Sequence, residues 1–156
     1  MRVVYQNTLR LTLPFGWRTE EGEDCLLCYH PNGEGAQMVS LHTAETDGED
    51  LMEYLVLLAK RYIKQNDVCL TRSLTLDESN ANRVSVSAEG EQSDGWNTAF
   101  QFVSNGWQVA MFTYLCQTRT RELKKAVRIA ERARFHRLEG EKGASIGTGL
   151  DQTGNR

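Results

Sequence analysis

Apolar residues recur at every second position at Leu9, Leu11 and Leu13, and the segment then meets Pro14-Phe15-Gly16-Trp17. That alternation fits a strand with one buried face, so residues 3–13 are expected to form a strand that ends in a turn. Residues 25–30 and 36–42 read as two further strands, and Pro31-Asn32-Gly33-Glu34-Gly35 between them suits a sharp reversal. The period then changes. Leu51, Leu55, Leu58 and Tyr62 are spaced by a helical turn behind the acidic Asp47, Glu49 and Asp50, and Lys60, Arg61 and Lys64 complement the dipole at the other end, predicting a helix over 48–65.

Four strands follow in the pattern, at 68–76, 81–89, 96–103 and 107–116, separated by turn residues at 77–80, by Asp94-Gly95 and by Asn105-Gly106. Asn-Gly tolerates the positive φ angles of a type I′ turn, so the last two are expected to form a tight hairpin. The final strand is apolar on both faces: Trp107, Val109, Met111 and Leu115 alternate with Ala110, Phe112, Tyr114 and Cys116. A strand of that kind is covered on both sides. Leu123, Ala126, Val127, Ile129, Ala130 and Ala133 then mark the stripe of a second helix, capped by Thr118 or Thr120 and running to about residue 137. The sum is an α+β domain over 1–138, followed by a Gly-rich, aperiodic stretch at 139–156 that reads as a disordered tail.

A length of 156 residues suits one domain with a substantial core, and a net charge of −3 argues against general binding of polyanions. The chain has neither a run of about 20 apolar residues nor an apolar leader at its start, so no membrane partner and a cytoplasmic location are expected. The four cysteines, Cys25, Cys28, Cys69 and Cys116, lie in apolar segments and read as reduced, mostly buried thiols.

Cys25 and Cys28 have the spacing of a zinc knuckle or a redox pair, with His30 and His42 nearby. Residues three apart on a strand point to opposite faces, and no second pair of ligands completes a zinc set. No metal or cofactor is expected. Gly143-Ala144-Ser145-Ile146-Gly147 matches the nucleophile-elbow pattern, but no histidine follows it and it sits in the polar tail. Arg119, Arg121, Lys124, Lys125, Arg128, Arg132, Arg134 and Arg137 outnumber Glu122 and Glu131 along the second helix. Such a face could meet nucleic acid, but no nucleic-acid motif accompanies the helix, and the favoured reading is a solvated outer face whose arginine stems cover the apolar layer.

The order of elements, together with Leu13-Pro14-Phe15-Gly16-Trp17 and the late Asn105-Gly106-Trp107, resembles the PsbP-like and Mog-like superfamily, including its DcrB-type and effector-associated chaperone-like small bacterial proteins. The resemblance implies an α/β/α sandwich with a largely antiparallel sheet and two main helices, and a protein that binds other proteins without catalysing a reaction. It carries no catalytic residue onto this chain. The expectation is therefore a non-enzymatic protein-binding module (adaptor, chaperone or immunity type), with Tyr29, His30, His42 and Trp96 near hairpin ends as candidate contacts. Two alternatives stand beside it: a small thiol- or metal-dependent enzyme built around Cys28, His30 and His42, and nucleic-acid contact through the basic helix.

Overall fold

The strand with two apolar faces organises the molecule. In the computed structural model, which describes residues 1–46, 50–80, 83–118 and 121–135, that strand is β10 (Gln108–Cys116). Its Ala110, Phe112, Tyr114 and Cys116 join one core, and its Val109 joins another, with Met111 packed alongside. Before it in the chain come β1 (Arg2–Tyr5), β2 (Leu9–Thr12), β3 (Arg18–Glu21), β4 (Leu26–Tyr29), β5 (Gly35–Thr43), α1 (Leu51–Gln65), β6 (Val68–Leu70), β7 (Thr75–Asn80), β8 (Arg83–Gln92) and β9 (Asn97–Ser104); α2 (Arg121–Arg132) and β11 (Arg134–Phe135) follow. The main sheet has eight strands in the order β3-β4-β5-β10-β9-β8-β6, with β7 also paired to β8, and these neighbours pair antiparallel. A three-stranded sheet, β1-β2-β11, lies apart from it.

The expected layering is present: an α+β sandwich with a helix on each side of a largely antiparallel sheet. On one face α1 buries Met52, Leu55 and Ala59 over Val84, Val86 and Ala88 of β8 and over Phe100 and Phe102 of β9. Tyr62 completes that layer, its ring 4.9 Å from Phe100, while its hydroxyl shares a 3.1 Å hydrogen bond with Thr98. On the other face, α2 and the small sheet together cover Leu26, Cys28, Val39, Phe112 and Tyr114, burying Leu9, Leu11, Leu13, Leu123, Ala126 and Ile129. Glu122 pins α2 in place, because its Oε1 accepts from the Tyr114 hydroxyl (2.6 Å) and from the Gly35 N–H (2.8 Å). A Cβ on Gly35 would stand 2.6 Å from that hydroxyl, so the close approach depends on glycine.

Several elements differ from their sequence reading. The single strand expected over 3–13 is a hairpin, β1 with β2, turning at Gln6 and Asn7 with φ of 52° and 54°. Those two left-handed residues are what a type I′ turn needs. At Asn105-Gly106 only the glycine has positive φ (97°), because the Asn105 side chain accepts from the Trp107 and Gln108 N–H groups, both at 2.9 Å, and holds a longer turn. The strand expected over 68–76 is two short strands, and β7 runs through the residues read as a turn at 77–80. Strands β3 and β11 were absent from the sequence reading. The second helix ends at Arg132, since Ala133 turns inward and β11 pairs with β2.

The turn Pro14-Phe15-Gly16-Trp17 closes with a 3.2 Å bond from the Trp17 N–H to the Pro14 carbonyl and with Gly16 at φ 86°. Leu13 and Trp17 are buried on either side of it, and Phe15 at its tip is 99% exposed. The proposed start of the first helix at Gly48, the Thr120 cap, the elbow-like motif and the stretch 139–156 lie outside the described residues.

Candidate binding face

The two covers are staggered across the sheet. Helix α1 shields β8 and β9, leaving the same face open over β3, β4, β5 and part of β10. Register defines what that open half displays. Glu20 stands opposite Leu27, Leu27 opposite Met38, Met38 opposite Thr113, and beside this row Arg18 faces Tyr29 and Ala36 faces Leu115. One row further along, Ser40 faces Met111 and His42 faces Val109. Met38 is 45% exposed, and Leu27, Tyr29, Met111 and Leu115 are half-buried, so the strip is apolar at its centre and charged at its β3 margin.

Where the strip meets α1, a groove of about 480 Å³ opens between Tyr54, Leu58, Arg61 and Gln65 on the helix and His42, Val109 and Met111 on the sheet. Apolar side chains floor it, and Arg61, Glu45 and His42 form its rim. Methionine at Met38 and Met111 suits such a surface, because an unbranched thioether adapts to a partner's shape. The face thus has an apolar centre and a polar rim.

Of the candidate residues read from sequence, Tyr29 and His42 share this face. They sit at opposite ends of it: Cys28 pairs with Gln37, and His42 lies five positions further along β5. A hydrogen bond to Glu20, followed by partial burial, raises the Tyr29 phenol above its ordinary range. The His42 Nε2 is 2.9 Å from the Ser40 hydroxyl. His30 is elsewhere, in the β4–β5 turn, where its Nδ1 accepts from the Asn32 N–H at 3.0 Å and its ring stands 2.9 Å from where a Cβ of Gly16 would be. Trp96 belongs to the β8–β9 turn, its N–H bonded to Asp94 at 3.0 Å. Leu27, Met38, Met111, Leu115 and Arg61 were not singled out in the sequence. Alternation within 36–42 signals that Met38 and Ser40 share a face, but only the placement of α1 decides that this face stays open.

The thiol arrangement is not assembled. Cys28 is fully buried beneath the small sheet, and burial pushes its thiol up to about 12, whereas His42 occupies the opposite face of the sheet. Cys116 is also buried, Cys25 is half-buried, and Cys69 is exposed, so the four thiols are less uniformly buried than expected. Among the described residues no group of three or more Cys, His, Asp or Glu side chains could hold a metal ion. On α2, Arg121, Lys124, Lys125, Arg128 and Arg132 are all exposed. Among the described residues no helix is long and apolar enough to cross a membrane.

No family model and no curated protein matches the sequence. Among solved structures, the chain is similar to the solution structure of cyanobacterial PsbP (CyanoP) from Synechocystis sp. PCC 6803, with a TM-score of 0.66 and 12% identity over 86% of this chain and 91% of that one. It is also similar to a crystal structure from Bacteroides thetaiotaomicron VPI-5482, with a TM-score of 0.53 and 16% identity over 85% of this chain and 46% of that one. At such identities the likeness is one of architecture: the chain has a PsbP-like fold.

Proposed function

We propose that this chain is a non-enzymatic protein-binding module of the adaptor, chaperone or immunity type, built as a single domain over 1–138 and allied to the Mog-like and DcrB-type branch of its fold. The observation that carries the reading is the open half of the sheet face, with Leu27, Met38 and Leu115 at its centre and the groove along α1 beside it. The occupant is a polypeptide segment that sets apolar side chains on this strip and opposite charges against Arg61 and Glu20. Tyr29 and His42 take part as contacts at its two ends. The separation of Cys28 from His42 supports a role without thiol catalysis.

The test is capture of partners by the tagged protein in parallel with a Leu27→Asp/Met38→Asp variant, followed by mass spectrometry. The expected result is a stoichiometric polypeptide held by the wild type and reduced at least about tenfold in the variant, as for charge placed in an interface centre. No enriched polypeptide, or one held equally by both, overturns the reading. Matched circular dichroism establishes that the variant is folded.

A further inference from the structure

The other face of the sheet is also half open, and its open half is polar. There α2 and the small sheet leave β7 and β8 uncovered, and Thr75 stands opposite Ser87 while Ser87 stands opposite Gln101. A cleft runs between this strip and α2. Its inner part, about 260 Å³, has an apolar wall of Ala99, Phe112, Ala126 and Ala130 and contains Gln37. Its outer part, about 380 Å³, runs past Ser85 to Arg83 and overlaps the inner part at Thr75, Ser87, Gln101 and Glu131.

Two donors are left over in it. Gln37 is 2% exposed, and its Nε2 has no hydrogen-bond partner. Arg83 donates through Nη2 to the Ala130 and Glu131 carbonyls at 2.9 and 3.2 Å, capping the end of α2, yet its buried Nε–H has no acceptor. Buried N–H groups are paired as a rule, so an exception calls for an explanation, and an acceptor supplied by a bound molecule is one. The charges around the mouth balance: Arg72 is paired with Glu89 at 2.8 Å, and Arg83 and Arg134 face Asp77 and Glu131. Excess charge therefore does not select the ligand.

We infer that the cleft beside α2 binds a small molecule with an apolar body and a hydrogen-bond acceptor, a carbonyl or carboxylate, that reaches the Gln37 amide. The inner volume exceeds the roughly 150 Å³ that suffices for benzene in an apolar cavity. The body lies along Phe112 and the alanines, and the acceptor satisfies the Gln37 Nε2–H. This face is separate from the proposed polypeptide surface, so the two assignments stand or fall independently.

Nitrogen-15 NMR of the full chain tests it directly on the Gln37 side-chain NH2 resonances, with benzamide, benzoate, benzylamine and toluene as probes at matched concentrations. Benzamide and benzoate are expected to shift those resonances and the Ala126 and Ala130 methyls, with dissociation constants on the order of a few millimolar for ligands this small. Benzylamine and toluene, which lack the acceptor, are expected to bind at least about tenfold more weakly. Gln37→Met, which keeps the volume and removes the donor, is expected to erase the preference. Equal shifts from all probes overturn the inference, as does a long-lived water at Gln37 that no probe displaces. The wild-type spectra decide the matter even if the variant fails to fold.

Discussion

The two open halves of the sheet sit diagonally across from each other and differ in chemistry. Beside α1, the uncovered strip over β4 and β5 is apolar, with Leu27 and Met38 opposite each other. Beside α2, the strip over β7 and β8 carries the exposed Thr75 and the half-buried Ser87. Apolar side chains that are contiguous and rimmed by charge are the feature on which the proposed polypeptide surface rests.

The sharpest way to break this comparison is to delete bulk under a cover and beside it. Phe102 is fully buried beneath α1, so Phe102→Ala is expected to cost about 3–5 kcal/mol in urea unfolding, through lost burial and a cavity. Proteolysis and amide exchange should then show α1 loosened before α2.

A second test uses the thiols on the covered and uncovered parts of the molecule. Burial favours the neutral form of Cys28 and lifts it from 9.0 to about 12. Its folded pKa is raised above the unfolded one, so the associated stabilisation is fully present below about pH 9 and is lost as the pH rises through about 12. The expected outcome is that urea midpoints of the wild type fall more steeply between pH 8 and about 11 than those of Cys28→Ala. At neutral pH the exposed Cys69 should react with a thiol reagent while Cys28 reacts only after unfolding.

The smallest effect on stability belongs to the open strip. Met38→Ala is expected to change unfolding free energy by no more than about 0.5 kcal/mol, because its side chain gives up little burial on truncation. A loss of several times that size would mean that Met38 is part of the core and would dissolve the contrast with Phe102.

The legible parts of the fold were those in which one side chain pattern repeats long enough to be compared with water. β10 revealed its two covers because Val109 and Phe112, on opposite faces, are both apolar. The helix α1 revealed itself through Leu51, Leu55 and Leu58. β3, Arg-Thr-Glu-Glu, gave no signal, because an edge strand that buries only part of Thr19 has no apolar period to show. The β1 hairpin was hidden because Gln6 is an unusual residue for a left-handed turn. The candidate site was half legible for the same reason. Tyr29 and His42 could be seen on alternating strands, but the opposition of Leu27 to Met38 is a matter of register, and the exposure of both is set by how far α1 extends across the sheet.

The polar β3 also governs how the sheet ends. Arg18, Glu20 and Glu21 line the outermost strand, and the opposite margin is divided between two short strands, β6 and β7, that share β8. Charge at one rim and interruption at the other deny an incoming chain a long ladder of free main-chain groups, which guards against edge-to-edge aggregation. The consequence is a constraint on recognition. If the proposed segment docks on the main sheet, it is chosen by its side chains on the sheet surface and not by its capacity to add a strand there, so sequence changes that spare its backbone should still abolish its binding.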